Sequence, residues 1–148
     1  IGGSFTSAGI SMDYNNFVAQ GEYAKRKTDS RIIQDTSSWY LMGGYRLGKF
    51  LPYVMHGDVK QDSIRSFAGL PSSGPLAPLA AAANGAIEAG LQSTSAIGLR
   101  WDFYKSAAFK VQIDHISPRN GTGYFVNPKP SLAGQSVNVY AASVDFVF

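Results

Sequence analysis

Seven segments alternate apolar and polar residues, their connections alternate short and long, and aromatics bracket the apolar rows. Together these features predict an all-β chain, part of an antiparallel transmembrane β-barrel. The last segment carries the pattern most plainly. Stepping back by twos from Phe148 gives Phe146, Val144, Ala142 and Tyr140, while Val147, Asp145, Ser143, Ala141 and Val139 take the other face. Successive strand side chains point to opposite faces. Rings at both ends of an apolar row suit a strand facing lipid, where amphipathic aromatics sit at the two interfaces.

The earlier segments follow in order. Residues 6–14 place Ala8, Ile10, Met12 and Tyr14 against Ser7, Gly9, Ser11 and Asp13, and Asn15-Asn16 makes a two-residue turn. Residues 17–27 set Phe17, Ala19, Gly21 and Tyr23 against Val18, Gln20, Glu22, Ala24 and Arg26. After a polar loop, residues 37–47 oppose Trp39, Leu41, Gly43, Tyr45 and Leu47 to Tyr40, Met42, Gly44 and Arg46, and Gly48-Lys49 turns the chain. Residues 50–61 are read with Leu51, Tyr53, Met55 and Val59 on the apolar face and Pro52, Val54, His56, Asp58 and Lys60 on the other. Residues 93–103 alternate Ile97, Leu99, Trp101 and Phe103 with Ala96, Gly98, Arg100 and Asp102. In residues 108–116, Phe109, Val111, Ile113 and His115 oppose Lys110, Gln112, Asp114 and Ile116.

The connections run short, long, short, very long, short, long, as in barrels with tight periplasmic turns and longer extracellular loops. The very long one, residues 62–92, holds three prolines and an Ala-rich piece suited to a short helix. Its simpler placement is on the extracellular surface, and its alternative is inside the lumen. With the last strand ending on the periplasmic side, the first runs inward from the outside. A single-chain bacterial barrel has an even strand count, so the expectation is that residues 1–148 form the C-terminal part of one larger barrel domain.

Composition narrows the function classes. No apolar run reaches the roughly 18 residues of a spanning helix, which leaves a barrel open. With no cysteine there is no disulfide, thiolate zinc site or cysteine nucleophile. The net charge of +3 is scattered, and Lys25-Arg26-Lys27 is the one basic run, so no nucleic-acid face is expected. The stretch from Gly43 to Lys49 resembles a phosphate loop, but Phe50 stands where Ser or Thr must reach the metal. His56 and His115 fall on opposite predicted faces without a third ligand, and no Ser–His–acid set is legible. The sequence therefore predicts no enzyme, cofactor or metal site.

Gly98-Leu99-Arg100-Trp101-Asp102-Phe103, Phe109 to Ile116 and Val144-Asp145-Phe146-Val147-Phe148 resemble the ends of Gram-negative outer-membrane porin-like proteins, with weaker support from Tyr40 to Tyr53. That resemblance implies a barrel of about sixteen strands, assembly as a homotrimer, and recognition of the C-terminal strand by the barrel-assembly machinery. It places the chain in the bacterial outer membrane, against lipid. The expected lumen wall comprises Asp13, Glu22, Arg26, Arg46, His56, Asp58, Lys60, Arg100, Asp102, Lys110, Asp114 and Asp145. The expected lipid-facing girdle comprises Tyr14, Trp39, Tyr45, Tyr53, Trp101, Phe103, Phe109, Tyr140, Phe146 and Phe148. So many charges cannot enter a dry core, whereas a hydrated lumen accepts them. Singly each reads as a wall salt bridge; an opposite-charge ladder is expected among Arg100, Asp102, Lys110 and Asp114. The expected function is passive diffusion of small hydrophilic solutes or ions. The alternatives are a plugged structural or adhesive barrel and a soluble β-sandwich binding module.

Overall fold

A computed structural model describes residues 2–30, 33–63, 66, 69–87, 91–119, 123–125 and 134–147. Its strands are β1 (Gly3–Tyr14), β2 (Phe17–Thr28), β3 (Thr36–Tyr45), β4 (Phe50–Gln61), β5 (Gln92–Tyr104), β6 (Ala107–Pro118) and β7 (Val137–Phe146). One helix, α1 (Ala77–Ile87), lies between β4 and β5, where the Ala-rich piece was expected. The seven strands form a single antiparallel meander in sequence order. The sheet is open, with β1 and β7 as its edges, so barrel closure is absent among the described residues.

The turns fix the pairing. Asn15 and Asn16 both take positive φ, 47° and 68°, the two left-handed positions of a type I′ hairpin turn. Its twist matches that of the strands, and Tyr14 is set opposite Phe17. Gly48, at φ 61°, turns the next hairpin, where Leu47 and Phe50 exchange backbone bonds of 2.8 and 3.0 Å. Tyr104 opposes Ala107 across the third turn, after a bulge between Trp101 and Tyr104. All three tight turns lie at one end of the sheet and the three longer connections at the other.

Pairing then carries one face across all seven strands, because directly opposed residues point the same way. One row reads Met12, Ala19, Gly43, Val54, Ile97, Ile113, Tyr140. Its counterpart on the other face reads Gln20, Met42, Met55, Ala96, Asp114, Val139.

The register corrects the reading of β4. Gly44 opposes Tyr53 and Val54 opposes Ile97, so Pro52, Val54, His56, Asp58 and Lys60 share the face of Trp39 and Trp101. Leu51, Tyr53, Met55 and Val59 share the face of Arg100 and Gln112. The cause is the two-residue turn, which places Leu47 and Phe50 on one face and so passes the Tyr45 row to Pro52 and Val54. His56 and His115 consequently lie on the same face.

This sheet has no core of the usual kind. Its buried apolar residues are Tyr53, Ala80, Ala96, Ala107 and Ala108, and no large side chain among the described residues is fully buried. Ile10, Leu41, Val54 and Ile97 are 76%, 61%, 60% and 60% exposed. Among the described residues no helix is long and apolar enough to cross a membrane, which says nothing of strands.

The first turn gives a test. Asn16→Val places a β-branched residue at positive φ and is expected to cost about 1–2 kcal/mol. Asn16→Gly is expected to be neutral or slightly stabilising. Urea midpoints of the folded chain should move in those opposite senses.

Candidate functional site

The apolar face is layered from end to end. At the turn end Tyr14, Phe17 and Tyr45 stand side by side, then Phe50, Trp101 and Phe109, with Phe146 beyond. The rings engage one another: Phe17 meets Tyr45 edge-on at 4.9 Å, Phe50 stacks on Trp101 at 5.9 Å, and Phe103 lies 5.5 Å from Trp101. Aliphatic rows follow, and Tyr23 and Trp39 form a second aromatic level on β2 and β3. Beyond them the face turns polar, through Lys25, Ser37 and Lys60.

The apolar band runs obliquely to the pairing rows. Trp39 is still apolar where its neighbour across the sheet is Asp58, and on β4 the band begins only at Val54. On β5 to β7 it begins at Ile97, Ile113 and Tyr140, in the row of Val54. That offset is roughly 13 Å along the strands over roughly 29 Å of sheet width, a slant near 25°. Strands inclined to a level apolar slab produce such a slant.

On the opposite face the charges gather around Tyr53, which is 8% exposed. Its ring lies flat over Gly98 on β5, where a Cβ would collide with ring carbons Cζ and Cε1 and the phenol oxygen. Glycine at 98 is therefore a matter of space. The Tyr53 hydroxyl reaches past β5 to donate to Gln112 Oε1 on β6 at 2.6 Å. Gln112 Nε2 in turn donates to Asp114 Oδ1 at 2.7 Å, and Lys110 Nζ stands 5.4 Å from the Tyr53 ring centroid. The opposite-charge ladder does not form across strands. Arg100 faces Lys110 directly, and relieves the like-charge approach by turning its Nε to Asp102 Oδ1 on its own strand, at 2.8 Å. Arg46 bridges to Asp13 Oδ2 at 2.5 Å, spanning β2.

The expected wall residues divide accordingly. Asp13, Glu22, Arg26, Arg100, Lys110, Asp114 and Asp145 lie on the polar face by register, and Arg46 and Asp102 join them through their ion pairs. His56, Asp58 and Lys60 do not. They sit at the loop end of the apolar face, with His56 5.7 Å from the Trp39 ring and Asp58 bonded to Arg119. Of the expected girdle, Tyr53 belongs to the polar face and Phe148 falls outside the described residues. The others lie on the apolar face or, for Phe103, against it. Tyr53 and Gln112, the centre of the polar network, were not anticipated together; the Gly48-Lys49 turn, propagated strictly, pairs their strands in phase.

The polar face is also the more shielded one at mid-sheet: Tyr53 and Ala96 are buried on it, whereas Val54 and Ile97 on the other face are each 60% exposed. Tyr124, between β6 and β7, donates its amide N–H to Gln92 Oε1 on β5 at 3.1 Å. Burial pushes the Tyr124 phenol above its ordinary 10.0, and the Arg26 guanidinium on β2 partly opposes that shift. Tyr124 thus stands beside Gln92 at the loop end of the polar face.

One row resembles catalytic machinery. His56 Nδ1 lies 2.8 Å from Ser95 Oγ, and His115 Nδ1 lies 2.8 Å from Asn138 Oδ1. The backbone of Ser95, however, is enclosed between the β4 and β6 ladders, leaving no convergent amides for an oxyanion. The row marks the polar border of the apolar band. Among the described residues no three His, Cys, Asp or Glu side chains converge to hold a metal ion.

The chain matches no protein-family model, no curated protein and no solved structure.

The Tyr53–Gly98 contact is testable. Gly98→Ala is expected to destabilise the fold by about 1–3 kcal/mol, the usual consequence of overpacking. In a Tyr53→Ala background the same change should cost little, because the obstructing ring is gone. A double-mutant cycle on urea midpoints measures the difference.

Proposed function

We propose that this sheet is one wall of an outer-membrane β-barrel whose polar face lines a water-filled channel for passive diffusion of small hydrophilic solutes or ions. The supporting observation is an inverted partition. The large apolar side chains stand on the exposed face, and the charged network stands on the more shielded one. In water each fully exposed Leu, Ile or Val forgoes about 1.5–3 kcal/mol of burial. An apolar surface spread over seven strands far exceeds what soluble monomers display. Hydrocarbon against that face removes the penalty, and water against the other keeps Arg46, Arg100, Lys110 and Asp114 hydrated.

The reading also places a requirement on the sheet edges. In hydrocarbon the unpaired backbone of β1 and β7 would each cost several kcal/mol per group, so a membrane setting requires further strands to pair with both. Chemistry at the wall is electrostatic. Mixed charges at mid-wall, several already paired, filter solutes by size and local field without any covalent step.

Planar-bilayer recording of the full-length protein tests the proposal. Stable ohmic conductance is expected. Replacing Arg46 and Arg100 by Gln frees Asp13 and Asp102 and should shift the reversal potential toward greater cation preference. Absence of conductance would leave a plugged, structural barrel, and a chain that stays monomeric without detergent would indicate a soluble module.

A further inference from the structure

We propose that a hollow at the loop end of the apolar face binds a neutral sugar ring, stacked on Trp39 and Tyr23 and hydrogen-bonded by Asp58, Arg119 and His56. The hollow has a volume of about 370 Å³, at the lower end for small-molecule sites and suited to a single ring. It straddles one pairing row, in which Tyr23 opposes Trp39 and Trp39 opposes Asp58. Its half on β2 and β3 is therefore aromatic, and its half on β4 and β6 is polar. The site requires only the sheet, so it stands independently of the channel reading above.

The polar half is held in place by its own contacts. Asp58 is paired with Arg119, which follows β6, and the Asp58 side chain is only 12% exposed. That pairing uses Asp58 Oδ2 and leaves Oδ1 as an acceptor, while the guanidinium keeps further N–H groups to donate. A fixed carboxylate–guanidinium pair thus offers acceptor and donors side by side, the pattern that two adjacent hydroxyls satisfy. His56 lies 5.7 Å from the Trp39 ring with Nδ1 on Ser95 Oγ, which leaves Nε2 for a further bond. Ser37 and Lys60 close the outer rim.

Charge and polarity select the ligand class. Asp29, Asp35, Asp58 and Asp62 stand beside Lys25, Lys27, Lys60 and Arg119, so the charges balance and no net field favours an ion. Lys25 lies 3.7 Å from Asp62, and Asp58 is taken by Arg119. A purely apolar occupant would strip water from the ion pair and from His56 without replacing its hydrogen bonds. A hexopyranose is divided as the hollow is: a face of axial C–H groups suits an aromatic ring, and a rim of hydroxyls both donates and accepts. Trp39 and Tyr23, 41% and 48% exposed, present ring surface to such a face.

Saturation-transfer NMR of the full-length protein with methyl β-glucoside and methyl β-galactoside, in a polyoxyethylene detergent that carries no sugar, tests the site. Saturable transfer to the axial C–H protons of one ring face is expected. Trp39→Ala should weaken affinity about fivefold, the scale of an aromatic contact, and Asp58→Asn about tenfold, that of a charge-assisted hydrogen bond. Trp39→Phe keeps a ring and should recover most of the loss. Trp101→Ala removes an indole of the same 41% exposure at the turn end, and should bind as the parent does. No transfer to either glycoside, an equal loss in the Trp101 variant, or unchanged binding by Trp39→Ala and Asp58→Asn overturns the proposal. So does an equal response to glycerol, which would mark indiscriminate polyol contact. Octyl β-glucoside below its micelle threshold separates the sources of the ring. Affinity equal to that of the methyl glycoside supports a free saccharide, and tighter binding supports a glycolipid headgroup whose chain lies along Leu41 and Val54. Binding of the octyl form alone reflects its chain and overturns the site.

Discussion

Strict pairing of seven antiparallel strands is the constraint from which the rest follows. Once three two-residue turns fix the register, every side chain is committed to one of two faces. A slip of one residue in any strand would move Ile97 or Leu41 among the charges and Gln112 among the aromatics. The energy distinguishing the two faces is therefore collective. The aromatic rows, the Tyr53 network and the lysines at the loop end all depend on the same ladder.

Much of this organisation was legible in the sequence, because period-two alternation is a local signal. Asn15-Asn16 and Gly48-Lys49 announced the turns, and strands 1, 2, 3, 5, 6 and 7 show their apolar rows without ambiguity. Strand β4 was different. Its residues Leu51, Pro52, Tyr53, Val54 and Met55 form an apolar run with no internal phase, so alternation within the strand cannot decide the faces. The deciding information is non-local: the turn length carries the phase of Tyr45 over to Val54. The expectation for Tyr53, His56, Asp58 and Lys60 failed for that reason.

Ion pairing was less legible than face. Sequence spacing suggests a ladder linking Arg100, Lys110 and the nearby acids, but register sets the two cations opposite each other. The structure accommodates them with an intrastrand bond to Asp102 and an aromatic ring beneath Lys110. Tyr53 can lie down in that way only because position 98 lacks a side chain. A large, half-polar ring thus fills the shielded face, where small or charged groups were expected, and ties β4 to β6 across an intervening strand. The oblique course of the apolar band is a property of the assembled sheet and is invisible in any single segment.

The central claim is the assignment of the two faces to hydrocarbon and water, and β5 provides the most direct measurement. The chain has no cysteine, so single thiols at positions 94 to 97 and 99 can be labelled one at a time with an environment-sensitive fluorophore in vesicle-reconstituted protein. The account predicts quenching by brominated lipid at Ile97 and Leu99, and quenching by aqueous iodide at Thr94 and Ala96. Uniform quenching by iodide along the strand, or the opposite alternation, would contradict it.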